Sequence, residues 1–120
     1  MGGPMMGIAQ FTTELPIVKG TSGILVLTAR DVRNNDKEHP CIKCGRCVAN
    51  CPMGLNPGML SILGERGMAE EAKEDFGLLN CIECGCCSYN CPSKRNIVHY
   101  VKYLKKLSAD LAAAAKDKQK

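Results

Sequence analysis

Eight cysteines stand in two runs of one pattern. Residues 41–52 read CIKCGRCVANCP, and residues 81–92 read CIECGCCSYNCP. Each run is C-x2-C-x2-C-x3-C-P, and the two agree at eight of twelve positions. Soft thiolates at this spacing suit tetrahedral iron in a cubane. The same run is the binding pattern for paired [4Fe–4S] clusters, in which the fourth cysteine reaches the other cluster. The spacing therefore predicts two [4Fe–4S] clusters. The first is predicted on Cys41, Cys44, Cys47 and Cys91, and the second on Cys81, Cys84, Cys87 and Cys51. The chemistry is transfer of single electrons.

Other residues in the runs fit that purpose. Gly45 and Gly85 follow the second cysteines, where a side chain is expected to crowd a bound cluster. The third and fourth cysteines are four apart and are expected to share a face of one helical turn. Pro52 and Pro92 are expected to stop that turn. Cys86, the ninth cysteine, replaces Arg46 of the first copy and reads as a spare thiol. Zinc also accepts C-x2-C pairs, and metal analysis distinguishes that non-redox alternative. An odd number of cysteines and no visible export signal argue against a disulfide framework.

Charge and composition narrow the classes further. The formal charge of +4 counts the thiols as neutral. Two thiolate-held clusters would contribute about four negative charges and cancel it. No aromatic platform or basic cluster supports nucleic-acid binding. No apolar run reaches the length of a membrane span, so no transmembrane segment is expected in this chain. Aromatic residues are 4% with no Trp, so the ordinary core is expected to be thin.

The elements that must position the cysteines follow from the flanking sequence. Pro16 to Lys19 and Ile24 to Leu27 are short β-prone runs around Gly20-Thr21-Ser22-Gly23, which predicts a hairpin. Asn56-Pro57 predicts a helix start, with Gly64 or Gly67 as its end. Residues 68–75 predict a second helix. A third is expected after Ser93, with Ile97, Val101, Leu104 and Leu111 near one face. Arg95, His99, Lys102 and Lys106 read as its solvated face, and the chain from Ala112 as a fraying tail. The fold class is thus α+β: a short N-terminal β segment and linker over 1–36, then a mainly helical dicluster ferredoxin domain over 37–120.

With these residues in view, the chain resembles the C-terminal part of the C subunit of the Rnf electron-transport complex. GGPMMG at 2–7, PIVKGTSGIL at 16–25, PCIKCGRCVANCPMGL at 40–55 and CIECGCCSYNCPSK at 81–94 carry the resemblance. It implies a module of a membrane-associated, ion-pumping ferredoxin:NAD oxidoreductase. It also implies other subunits of that complex as partners, and a ferredoxin or a flavin/NAD domain as redox partner. The implied location is peripheral, at the cytoplasmic face of the cell inner membrane. Family members carry a longer N-terminal portion, to whose edge residues 1–36 would belong. No dinucleotide fingerprint occurs in this chain, and no complete active site is apparent. A free-standing ferredoxin and an iron–sulfur subunit of another reductase or dehydrogenase remain as alternatives. Lys43 and Arg46 in the first run, against Glu83 and Cys86 in the second, predict the higher reduction potential for the first cluster.

Overall fold

A computed structural model of the chain describes residues 7, 10, 12–26, 28 and 37–117. The chain divides into two compact units, Met1–Asp36 and Lys37–Lys120.

The expected β segment is absent: the described residues contain no strand, and the helical unit is α-helices and loops. The α+β class is therefore corrected to a helical one. A tight turn does form near Gly20. Thr21 N–H donates to the Val18 carbonyl at 2.9 Å, and Val18 N–H donates to Thr21 Oγ1 at 3.3 Å. The flanking runs do not pair across it. Ile17, Ile24 and Val26 are exposed, so no apolar burial offsets the ordering of a lone hairpin, which is marginal in water. Leu27, most of the GGPMMG stretch and much of the expected linker lie outside the described residues.

The described residues of the second unit form five α-helices: α1 (Arg46–Ala49), α2 (Pro57–Arg66), α3 (Ala69–Glu74), α4 (Cys86–Tyr89) and α5 (Ile97–Asp117). A single 3-10 turn, Leu78–Asn80, precedes the second cysteine run. The start of α2 is as its sequence predicts. Asn56 Oδ1 accepts the Met59 N–H at 3.2 Å, Pro57 takes the first position, and Gly67 closes the helix at φ 69°. Ser93 does not cap α5, which begins four residues later, after Asn96. Its last turns continue to Asp117 in place of the expected frayed tail, and Leu111 is exposed.

The core lies between α2, α3 and α5. Leu60 and Leu63 of α2, Ala69 and Ala72 of α3, and Val101 and Leu104 of α5 close over Leu78. The helices approach closely at Gly64. A Cβ built there would lie 2.6 Å from Tyr100 Cβ, so only glycine fits without displacing α5.

The repeat extends beyond the cysteine runs. Lys43 and Glu83 have φ 55° and 58°, Gly45 and Gly85 have 76° and 84°, and Gly54 and Lys94 have 63° and 53°. Asn50 and Asn90 each turn back, with Nδ2 donating at 2.9 Å to the carbonyls of Arg46 and Cys86. Each copy is therefore a loop, a one-turn helix, a second loop and a longer helix.

Candidate metal centre

The two copies build two cavities, and each cavity takes cysteines from both. One is lined by Cys41, Cys44 and Cys47 of the first loop with Cys91 of the second. The other is lined by Cys81, Cys84 and Cys87 with Cys51 of the first. The expectation that the third and fourth cysteines share a face is corrected here. Helix α1 ends at Ala49 and α4 at Tyr89, so Cys51 and Cys91 leave the turn and line the opposite cavity.

Backbone geometry aims donors at the sulfurs. Lys43 N–H and Glu83 N–H donate at 3.4 Å to Cys41 Sγ and Cys81 Sγ, and Leu55 N–H donates at 3.4 Å to Cys51 Sγ. Lys43 and Glu83 hold left-handed φ to do so, a conformation that costs a non-glycine residue about 1–2 kcal/mol. The same strain at the same place in both copies marks a functional constraint. Gly45 and Gly85 hold positive φ, which by itself favours glycine, and a Cβ at either would meet no protein atom within 4 Å.

The two cavities differ in size and cover. The first measures about 300 Å³ and the second about 20 Å³. Cys44 is exposed, whereas Cys87 is buried. Burial pushes the Cys87 thiol up to about 11 and raises Cys47 as well. Cys86 is exposed at the rim of the second cavity, and a hydrogen bond with Cys84 raises its thiol.

The donor sets fit [4Fe–4S] clusters. The first has four soft thiolates and the second has four with Cys86 as a fifth thiol in its lining, and N–H groups point at the sulfurs as they do where a cluster's negative charge needs stabilising. Among the described residues, no three His, Cys, Asp or Glu side chains converge as a single ion requires. The second quartet must open to seat a cubane, because its cavity holds little more than one water.

The charges around the sites depart from the sequence expectation. Glu83 is not an uncompensated anion: Lys105 Nζ lies 2.8 Å from its Oε1, and Lys102 Nζ lies 4.0 Å from its Oε2. Lys105 also donates to the Cys81 carbonyl at 2.6 Å. Arg95, expected on a solvated face, is 4% exposed and lines the first cavity. Its Nε donates to Ser61 Oγ at 3.1 Å, Nη2 lies 2.7 Å from Glu65 Oε1, and Nη1 lies 3.8 Å from Glu38 Oε1. The Nη2 contact is an ion pair lying off the hydrogen-bond direction. The Tyr100 ring is 5.5 Å from the guanidinium carbon. Burial disfavours the charge, but Glu65 and Glu38 outweigh it and hold Arg95 protonated. Extending the repeat alignment could have found this residue, because Arg95 occupies the place of Leu55, an apolar position.

Comparison with known proteins gives the family of the chain. Residues 32–92, about half of the chain, match the 4Fe-4S dicluster domain family. The chain is 60% identical over 119 residues to the C subunit of the proton-translocating ferredoxin:NAD(+) oxidoreductase complex of Clostridium ljungdahlii. That alignment covers 99% of the chain and 25% of the relative. It is 48% identical over 105 residues to the C subunit of the ion-translocating oxidoreductase complex of Methanosarcina acetivorans, covering 88% of the chain and 23% of the relative. With the C subunit of the Na(+)-translocating ferredoxin:NAD(+) oxidoreductase complex of Acetobacterium woodii it shares 43% identity over 74 residues. That alignment covers 62% of the chain and 16% of the relative. The chain thus spans at most about a quarter of the length of these relatives. No helix among the described residues is long and apolar enough to cross a membrane.

Proposed function

Because the chain belongs to the 4Fe-4S dicluster domain family, we propose that it relays single electrons within an Rnf-type ion-translocating ferredoxin:NAD oxidoreductase complex. Cys41, Cys44, Cys47 and Cys91 hold the first [4Fe–4S] cluster, and Cys81, Cys84, Cys87 and Cys51 hold the second. The observation that carries this reading is the pair of cavities, each lined by one cysteine quartet drawn from both copies.

When bound, the clusters supply one-electron redox chemistry; the residues supply ligation, insulation and electrostatics. The N–H groups of Lys43, Glu83 and Leu55 stabilise negative charge at the sulfurs. Lys105 and Lys102 neutralise Glu83. The exposed Cys44 loop, with Lys43 and Arg46, gives a redox partner close access to the first site.

The partners in this reading are the other subunits of the complex, with a ferredoxin or a flavin/NAD domain exchanging electrons. The chain sits peripherally, at the cytoplasmic face of the membrane. Residues 1–36 form the edge of a preceding domain, and residues 37–120 form the dicluster domain.

Iron and sulfide analysis with EPR on anaerobically reconstituted chain is the test. Two reducible [4Fe–4S] signals per chain are expected. Stoichiometric zinc without a reducible iron signal would refute the reading.

A further inference from the structure

The two sites are related by the repeat, yet a buried charge stands beside only one of them. Arg95 is the only buried charged side chain among the described residues. It follows Cys91 by four residues and lines the first cavity. Leu55 follows Cys51 by the same four residues and lines the second.

The guanidinium is held in place. Ser61 accepts its Nε–H, and the Ser61 hydroxyl donates to the Gly58 carbonyl at 2.9 Å. Gly58 in turn lies against the first site: a Cβ there would sit 3.3 Å from Cys47 Sγ. Arg95 is therefore fixed to the residue that touches a ligand sulfur.

Its counter-charges are more exposed to water than it is. Glu65 is 43% exposed and Glu38 is 27% exposed, against 4% for Arg95. Solvent screens the carboxylates more than the cation, so the Arg95 charge is the least screened of the three beside the first site. Adding an electron to a thiolate-held cluster makes it more negative, and a sheltered cation favours that step. The second site has Leu55 at the equivalent position, and the lysines that face its Glu83, Lys105 and Lys102, are more exposed to water than Arg95.

We infer that Arg95 is a positioning residue for electrons, setting the reduction potential of the first site above that of the second. The inference rests on the dicluster reading. The step takes up one electron at the first site from a one-electron reductant, and no bond forms or breaks. Between the sites, an electron runs downhill from the second to the first.

The test is an EPR-monitored redox titration of the reconstituted 120-residue chain, with dithionite as reductant. The first-site signal is assigned by its loss in Cys44→Ser. Arg95→Leu, which copies Leu55, should lower the equilibrium preference for the first site over the second by about tenfold or more. Arg95→Lys should keep most of that preference. Glu65→Gln removes a counter-charge and should raise the preference about threefold. If Arg95→Leu does not assemble both clusters, Glu65→Gln decides alone. An unmoved first-site potential in every variant that holds two clusters overturns the inference. Failure of the parent chain to bind two clusters overturns the dicluster reading instead. A purely structural role for Arg95 would change stability without moving either potential.

Discussion

The backbone N–H of Val98 donates to Ser88 Oγ at 3.2 Å. At the equivalent place in the first copy, Gly58 packs against the Cys47 sulfur. Gly58 permits that contact because it has no Cβ, which would lie only 3.3 Å from Cys47 Sγ. Val98 has a branched side chain in its place. Ser88, standing in the place of Val48 and adjacent to Cys87, ties α5 to the second cysteine loop through its hydroxyl. The repeat thus ties each longer helix to the neighbourhood of a third cysteine, by direct packing in one copy and through a serine hydroxyl in the other.

Ser88→Ala should therefore lower the potential of the second site and leave the first unchanged. Loss of the Val98–Ser88 hydrogen bond beside Cys87 is worth about 1 kcal/mol, or roughly fivefold in electron sharing between the sites. A redox titration followed by EPR measures it. A fall in both potentials together would show a general loosening of the fold instead.

Lys105 bears on the same site through charge. Lys105→Met removes the 2.8 Å partner of Glu83 and leaves only Lys102 at 4.0 Å. The second-site potential should drop by a few-fold in its reduction equilibrium, and the double variant Lys105→Met with Glu83→Gln should recover most of the loss. This is the sequence expectation revised: Glu83 opposes reduction only when its lysine is gone.

Packing gives a third prediction. Gly64→Ala places a Cβ 2.6 Å from Tyr100 Cβ, where α2 and α5 touch. Overpacking of this kind costs about 1–3 kcal/mol, and a lowered thermal midpoint should show it. Because Tyr100 lies against Arg95, the first-site potential should shift too.

The cysteine pattern makes the two sites legible in the sequence, because ligand spacing is local and its chemistry is narrow. Asn56, Pro57 and Gly67 bound α2 for the same reason: caps act within one turn. Arg95 escapes a helical wheel because the chain from Cys91 to Asn96 is loop, not helix, and a wheel has no meaning there. The Glu83–Lys105 pair spans 22 residues and depends on how α5 packs, so it leaves no local signal. The hairpin fails for the opposite reason. Its residue types are β-prone, but strand formation depends on partners and burial, and the described residues there have neither.

Metal removal should act unevenly. The core of Leu60, Leu63, Leu78, Val101 and Leu104 is made by α2, the 3-10 turn and α5, and of the cysteines only Cys81 packs against it. The loops over 41–52 and 81–92 contain only one-turn helices and strained residues. In chelator-treated, reduced chain, hydrogen exchange should quicken first in those loops, with slow exchange kept in α2 and α5. Simultaneous loss of protection throughout 37–117 would mean that the clusters hold the whole unit together.

The ligand crossover supplies the most discriminating variants. Cys51 lies in the first run but lines the cavity of the second, and Cys91 does the reverse. If ligation follows the cavities, Cys91→Ser degrades the cluster whose other ligands are Cys41, Cys44 and Cys47. Cys51→Ser degrades the cluster on Cys81, Cys84 and Cys87. Assignment is by comparison: the EPR signal lost in Cys91→Ser should be the one lost in Cys44→Ser, and the signal lost in Cys51→Ser should be the one lost in Cys84→Ser. Cys86→Ser is the control. It removes a thiol two residues from Cys84 and should keep both signals, because Cys84 and Cys87 already complete the loop spacing. Partial iron loading adds an independent check. The first cavity is open at about 300 Å³, whereas the second must widen from about 20 Å³. Substoichiometric iron and sulfide should therefore fill the first site first, and Cys91→Ser should abolish that early signal while Cys51→Ser spares it. If Cys51→Ser removed the early signal and Cys91→Ser did not, each run would hold its own cluster and the crossed assignment would fall.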